Sequence, residues 1–276
     1  SGWHLFTEFG EAFTRNGADA IMAMTAVAFV ALAVDRASGK IVWKNMTLPF
    51  TAPQGAASSP ILFDGKLILC CDGTDKQFLA ALDRRTGSVL WQQPRQHLER
   101  VSDNGFFKMA YSTPLIQEVD GVAQLVATSA EHVAAYDVQT GKELWWMPYN
   151  GFSIVGRPSY GNGLFYVVGS IRQDHFCVYA VRPGKGRLRD DQVVWQRSIS
   201  IPHVPSPILV GRKLFVVHDG GVASCVDALT GREHWRERLG GNHDASPVLW
   251  CPLRHPDRLV LRIGMASECS SRTYWC

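Results

Sequence analysis

The sequence has no long basic run. Its 28 Lys/Arg and 25 Asp/Glu are scattered, for a formal net charge of +3, so it lacks the electrostatic footprint of a nucleic-acid-binding face. No CxxC and no paired Cys/His spacing occurs, so a structural zinc site is not expected. The seven cysteines (Cys70, Cys71, Cys177, Cys225, Cys251, Cys269, Cys276) are too sparse for a disulfide framework and do not fix the redox compartment. The longest apolar run, Ala20 to Val34, has 15 residues, short of the roughly 20 a spanning helix needs. Its flank (Glu8, Glu11 and Asp19 against Arg15) is wrong for a signal peptide, so the run reads as strands and no membrane span is expected. There is no nucleophile elbow, Walker loop, GxGxxG fingerprint or metalloprotease helix, which weakens the case for an ordinary hydrolase, kinase or nicotinamide enzyme.

Glycine and tryptophan are plentiful, at 25 and nine residues, in a chain that is 46% apolar. Glycine-bearing turns between short apolar runs predict an all-β protein. One unit recurs: a small residue, an apolar residue, Asp, two variable residues, Ser/Thr-Gly, three residues, Trp. The copies are AVDRASGKIVW (Ala33–Trp43), ALDRRTGSVLW (Ala81–Trp91), AYDVQTGKELW (Ala135–Trp145) and CVDALTGREHW (Cys225–Trp235). A degenerate copy, Ala180–Trp195, has Arg182 in place of Asp and a turn five residues longer. The repeat tryptophans lie 48, 54, 50 and 40 residues apart. Asp35, Asp83, Asp137 and Asp227 are read as turn formers that bond backbone N–H groups ahead of them. Gly39, Gly87, Gly141 and Gly231 take the positive-φ position that closes a bulged hairpin. Trp43, Trp91, Trp145, Trp195 and Trp235 end the second strand, where a large ring covers the seam to the next repeat.

A second motif precedes each unit: a strand opened by Pro, a tight turn such as Asp64-Gly65 or Asn162-Gly163, and another apolar strand. Together the motifs give four antiparallel strands per roughly 40–54 residues, the length of a propeller blade. The expected fold is a single all-β propeller domain over 1–276 with five to six recognisable blades. These are a partial blade at about 28–46, complete blades at 58–93, 112–147, 157–197 and 205–237, and an atypical unit at 245–276. Residues 1–19 fall outside the pattern.

The A-x-D-x-x-T-G-x-x-x-W units resemble the tryptophan-docking repeats of propellers related to pyrroloquinoline quinone (PQQ) enzymes. The resemblance runs from Ala33 to about Trp250. It implies a fold shared by quinoprotein dehydrogenases and by non-catalytic scaffolds such as the outer-membrane assembly lipoprotein BamB. The segments GAASSPIL, AYSTPL and RLGGNHDASP follow the order of BamB-like bacterial proteins. The resemblance implies a protein-binding scaffold of the bacterial periplasm or cell envelope, not an enzyme, with another protein as partner and no cofactor. The alternatives are a PQQ-dependent alcohol or sugar dehydrogenase holding PQQ with calcium, and a sensor propeller detached from a membrane or kinase partner. Neither the calcium ligands nor the Asp base of such enzymes can be placed on positions of this sequence.

In a four-stranded blade the longer B–C and D–A loops share one face, the default place for binding. Candidates there or in the channel are Arg157, Tyr111, His203, His243 and Asp244. Arg157 replaces the Ser/Thr that precedes Pro in the other blades (Ser59, Thr113, Ser206, Ser246) and would place one cation in the channel. His218-Asp219 and His243-Asp244 suggest acid/base work only superficially, because neighbours in a strand point to opposite faces. Solvated or loop-anchoring roles are the simpler reading. Cys70-Cys71 matches a cofactor-covering vicinal disulfide of the quinoproteins. Aligned with the other blades, the second strand ends at Cys70, Cys71 opens the loop, and Asp72-Gly73 turns it. The expectation is two reduced thiols, one packed and one near the loop, with the vicinal disulfide as the alternative.

Overall fold

The computed structural model describes residues 20–21, 31–53, 55–98, 103–172, 175–198, 201, 204–239, 241, 248–250, 259–264 and 269–274. They form a β-propeller of antiparallel sheets. The first sheet has three strands, β1 (Ala20–Ile21), β2 (Ala31–Asp35) and β3 (Ile41–Asn45). The second has β4 (Ile61–Phe63), β5 (Lys66–Asp72), β6 (Gln77–Asp83) and β7 (Val89–Pro94). The third contains β8 (Leu115–Val119), β9 (Val122–Thr128), β10 (His132–Asp137) and β11 (Glu143–Pro148). The fourth contains β12 (Ser159–Gly161), β13 (Leu164–Arg172) and β14 (His175–Val181); β15 (Gly186–Arg187) then leaves it, and β16 (Val193–Arg197) completes it. The fifth has β17 (Ile208–Val210), β18 (Lys213–His218), β19 (Val222–Asp227) and β20 (Glu233–Arg238). The last has β21 (Val248–Trp250), β22 (Leu259–Gly264) and β23 (Cys269–Tyr274). Among the described residues no helix is long and apolar enough to cross a membrane.

The repeat motif builds one turn four times. In the copy at Asp83, Oδ1 accepts from the N–H groups of Arg85 (2.9 Å) and Thr86 (2.8 Å) and from the Thr86 hydroxyl (3.0 Å). Gly87, at φ +73°, donates to the Asp83 carbonyl at 2.8 Å. The Thr86 N–H and hydroxyl hold the Asp83 carboxyl below its usual range. The Asp35, Asp137 and Asp227 turns repeat these bonds, and the strand register slips by one residue at the same place in each.

Three of these turns, at Asp83, Asp137 and Asp227, also receive an indole from the preceding sheet. Trp43 Nε1 donates to the Arg84 carbonyl (2.9 Å), Trp91 Nε1 to the Val138 carbonyl (3.1 Å) and Trp195 Nε1 to the Ala228 carbonyl (2.8 Å). The rings lie so close to Gly87, Gly141 and Gly231 that a Cβ there would stand 2.4, 2.7 and 2.8 Å from ring carbons. Glycine is therefore required twice, for its φ and for its missing side chain. Trp145 departs from the series because the next repeat is the degenerate one and offers no Asp–Gly turn. Its indole turns inward, fully buried, and donates to Gln124 Oε1 at 2.8 Å.

The five extra residues of the degenerate copy are not a looser turn. The longer turn contains β15, which adds in parallel to the outer edge of β11 (Trp145↔Gly186, Trp146↔Arg187) and makes the third sheet five-stranded. That edge is thereby covered, which removes a template for unwanted strand pairing.

Successive sheets pack face to face, and apolar side chains of both faces of each central strand fill the seams. β5 illustrates this and corrects the sequence reading. The strand runs through Cys71 and Asp72, which pair with Phe78 and Gln77, so the hairpin loop is only residues 73–76. Cys70 packs into the seam with the third sheet and Cys71 into the seam with the first, on opposite faces of the strand. Both thiols are free and buried, and Cys71 is a paired strand residue that does not open the loop.

Candidate functional site

The loop face over the second sheet is built in layers. The hairpin 73–76 is clasped by two longer loops: a Cβ on Gly73 would stand 2.5 Å from the Thr51 carbonyl oxygen, and one on Gly105 2.2 Å from that of Thr74. Thr51 N–H also donates to Asp75 Oδ1 at 2.6 Å. On this layer Met46 and Phe106 remain half exposed, at 56% and 50%.

Beneath the hairpin lies a polar cluster that spans the seam to the third sheet. Asp72 Oδ1 and Oδ2 accept from Arg95 Nε (3.0 Å) and Nη2 (2.7 Å), with both side chains out of contact with solvent. Arg95 also donates to the Thr128 carbonyl at 3.3 Å and lies 6.0 Å from the Tyr136 ring centroid. Burial pushes the Asp72 carboxyl up and Arg95 pulls it back; the guanidinium is held charged by the carboxylate it grips. Farther out, His97 adopts a left-handed φ of 64°. Its ring stacks on Trp146 at 3.6 Å, its Nε2 lies 3.0 Å from Glu143 Oε1, and its centroid is 5.6 Å from His132.

His132 is fully buried and its Nδ1–H donates to the Ala130 carbonyl at 3.1 Å, which leaves Nε2 as an unpartnered acceptor. Burial, and then the nearby Arg95 charge, depress its pKa to about 3, so the ring is neutral. Burial pushes the Cys70 thiol up to about 12, so it is no nucleophile at neutral pH. The cluster can join two blades and hold charge in the seam. Asp72 is already spent on Arg95.

The sequence-predicted residues are dispersed. Arg157 stands at the start of its inner strand, exposed, with its N–H donating to Ser206 Oγ (2.9 Å) and its Nε to the Pro114 carbonyl (3.3 Å). Ser59 N–H makes the equivalent bond to Thr113 Oγ1 at 2.9 Å. The hydroxyl before Pro thus links one blade to the preceding one, and Arg157 substitutes a guanidinium in that series. Tyr111 is half-buried; its N–H donates to the Ile154 carbonyl (2.8 Å) and its hydroxyl reaches Met109 Sδ (3.4 Å). His203, His243 and Asp244 lie outside the described residues. His218 Nδ1 accepts from Gly220 N–H (2.9 Å) and Asp219 Oδ1 from Val204 N–H (3.0 Å), so this pair anchors loops and does not form a dyad. No motif marks Arg95, His97, His132 or Glu143; the one local signal is a charge after an outer strand.

A family model described as outer membrane protein assembly factor BamB matches residues 18–169 and 178–262. The chain belongs to that family. Among curated proteins this BamB-family chain is 26% identical over 201 residues to tetrathionate hydrolase of Acidithiobacillus ferrooxidans, a match covering 67% of this chain. The match covers 36% of that relative's length. Among solved structures, a quinohemoprotein alcohol dehydrogenase from Pseudomonas putida HK5 matches with a TM-score of 0.55 and 17% identity, over 80% of this chain and 41% of that one. BamB from Moraxella catarrhalis matches with a TM-score of 0.46 and 16% identity, over 88% of this chain and 78% of that one. The property shared with the quinohemoprotein alcohol dehydrogenase is the fold. Among the described residues of this BamB-family chain no three His, Cys, Asp or Glu side chains come together as metal ligands. Asp72, the acidic residue beside Cys70-Cys71, is held by Arg95 through both carboxylate oxygens.

Proposed function

We propose that this chain is a non-catalytic scaffold of the bacterial cell envelope that binds another protein through its loop face. The observation that carries the reading is the pair Met46 and Phe106. Both are large apolar residues on loops clasping the same hairpin, and both are at least half exposed. Apolar side chains on rigid loops above a packed scaffold are what a protein partner buries. The acidic and imidazole groups beneath them (Asp72, His97, Glu143) are engaged in joining blades, which supports a binding role over a chemical one. The envelope location comes from the BamB family. Arg157 is proposed to meet an acidic group of the partner.

A photo-crosslinking amino acid placed at Met46 or Phe106, and separately at Arg85 on the tight-turn face, tests this in the native envelope. The expected result is one discrete adduct, shared by the two loop positions and missing at Arg85. Equal labelling from both faces, or none, rejects the loop face as the interface. PQQ and Ca²⁺ added to the purified chain are expected to give no quinone absorbance and no dye reduction with alcohols or sugars. Turnover in that assay would reject the non-catalytic reading.

A further inference from the structure

The seam between the second and third sheets carries more hydrogen-bonding capacity than its own groups use. Arg95 Nη1, the Tyr136 hydroxyl, His132 Nε2 and Glu143 Oε2 are buried and have no hydrogen-bond partner among the described residues. Buried polar atoms left unpaired are costly and rare, so several together mark a place where something else supplies the bonds.

All four groups face the same seam. On β10, Ala134 and Tyr136 pack towards the second sheet, while Val133 and Ala135 pack towards the fourth. Side chains alternate along a strand, so His132 shares the face of Tyr136. On β5, Asp72 lies two residues beyond Cys70, which packs into this seam, and it holds Arg95 there. The guanidinium carbon of Arg95 is 6.0 Å from the Tyr136 ring centroid. Glu143 is the register partner of Tyr136. His97, whose Nε2 lies 3.0 Å from Glu143 Oε1, stacks on Trp146 and stands edge-on to His132 with 5.6 Å between centroids. Burial raises the pKa of the Tyr136 hydroxyl, the Arg95 charge opposes that rise and Glu143 adds to it, as groups gathered in one place do.

The donor and acceptor pattern selects the occupant. Arg95 Nη1 can only donate. Glu143 Oε2 accepts, and so does His132 Nε2, because its Nδ1–H is given to the Ala130 carbonyl. The Tyr136 hydroxyl can do either. An anion would meet the Glu143 carboxylate and the His132 lone pair, and a cation would meet the guanidinium. Water accepts from one side and donates to the other, and an internal water typically makes about three such bonds. We propose that this seam binds ordered water, held by Arg95 Nη1 and the Tyr136 hydroxyl and passed on to His132 Nε2 and Glu143 Oε2. The water ties the Arg95–Asp72 pair to the His97–Glu143 pair, and so joins the chain leaving β7 to β10 and β11. The inference does not depend on the scaffold reading, since it concerns a joint between blades.

Two measurements on the whole chain test it. A high-resolution crystal structure should show a water peak at about 2.7–3.2 Å from Arg95 Nη1, within the same reach of the Tyr136 hydroxyl or His132 Nε2. Tyr136→Phe then separates a water-holding hydroxyl from an idle one. If the hydroxyl holds water, the melting temperature falls by about 2–4 °C, as loss of one net hydrogen bond implies. An idle buried hydroxyl is relieved by Phe, and the melting temperature holds or rises. Oxygen-17 relaxation dispersion should also detect less long-lived water in Tyr136→Phe than in the parent. Arg95 Nη1 bonded directly to Tyr136 or Glu143 with no water peak, an ion in that place, or a Tyr136→Phe variant at least as stable as the parent overturns the proposal.

Discussion

Arg95 grips Asp72 through two parallel hydrogen bonds, 3.0 Å from Nε and 2.7 Å from Nη2, with neither side chain reaching water. The pair joins the end of β5 to the chain leaving β7 and reaches across to the Thr128 carbonyl of the next sheet. A bidentate ion pair in a seam is a local commitment: its value depends on both partners being present.

Removing one partner should therefore cost far more than removing both. Asp72→Leu or Arg95→Met is expected to destabilise the fold by about 3–5 kcal/mol, because an uncompensated charge stays buried. The Asp72→Leu/Arg95→Met double variant should lose less than either single one. Urea unfolding of the four proteins in a double-mutant cycle measures the coupling, and additive losses would contradict it.

His132 makes the protein acid-sensitive. Its folded pKa of about 3 lies below the ordinary 6.5, so below pH 6.5 the unfolded chain binds a proton that the folded chain refuses. Stability from this residue is complete above about pH 6.5 and is lost as pH falls towards 3, at up to about 1.4 kcal/mol per pH unit. His132→Gln should flatten the slope of unfolding free energy against pH between 6.5 and 4. An unchanged slope would mean that other groups control it.

Gly87 and Gly39 share a turn and a positive φ, 73° and 68°, but not surroundings. Gly87 carries the Trp43 ring, whereas a Cβ on Gly39 would meet nothing within 4 Å. Gly39→Ala should cost about 1 kcal/mol from backbone strain. Gly87→Ala should cost about 2–4 kcal/mol, since overpacking adds about 1–3. Thermal unfolding of the two variants side by side decides this, and equal losses would remove the role assigned to the indole.

The adjacent thiols should be silent in the native state. Cys70 and Cys71 are buried in different seams, with burial holding both thiols in the protonated form. Peptide mapping after iodoacetamide at pH 8 should find neither alkylated without denaturant and both alkylated with it. A tryptic peptide lighter by two hydrogens would instead reveal a vicinal disulfide.

The repeat turns were legible because their bonds are local: Asp83 serves N–H groups two and three residues ahead, so spacing alone specifies them. The end of β5 was misplaced because alignment with His218-Asp219 transfers the loop of one blade to another. β5 instead keeps pairing for two more residues, Cys71↔Phe78 and Asp72↔Gln77. β15 read as a long turn, since nothing in Gly186-Arg187 announces a parallel partner some forty residues earlier in the chain. The Arg95 cluster was invisible for the same reason: Asp72, Arg95, His132 and Glu143 meet only once two sheets are stacked, and no periodicity encodes that meeting.

The indole-on-glycine contact gives the array a polarity. Every such bond runs forward along the chain, from a tryptophan to the turn of the following sheet, so the second sheet, for one, has a giving edge at Trp91 and a receiving edge at Gly87. At Gly39 the receiving place stands open among the described residues. The arrangement behaves like a row of like couplings with one interruption, at the degenerate repeat, where Trp145 turns into its own sheet. A defect in one turn therefore reaches two blades, its own and the one whose tryptophan it holds.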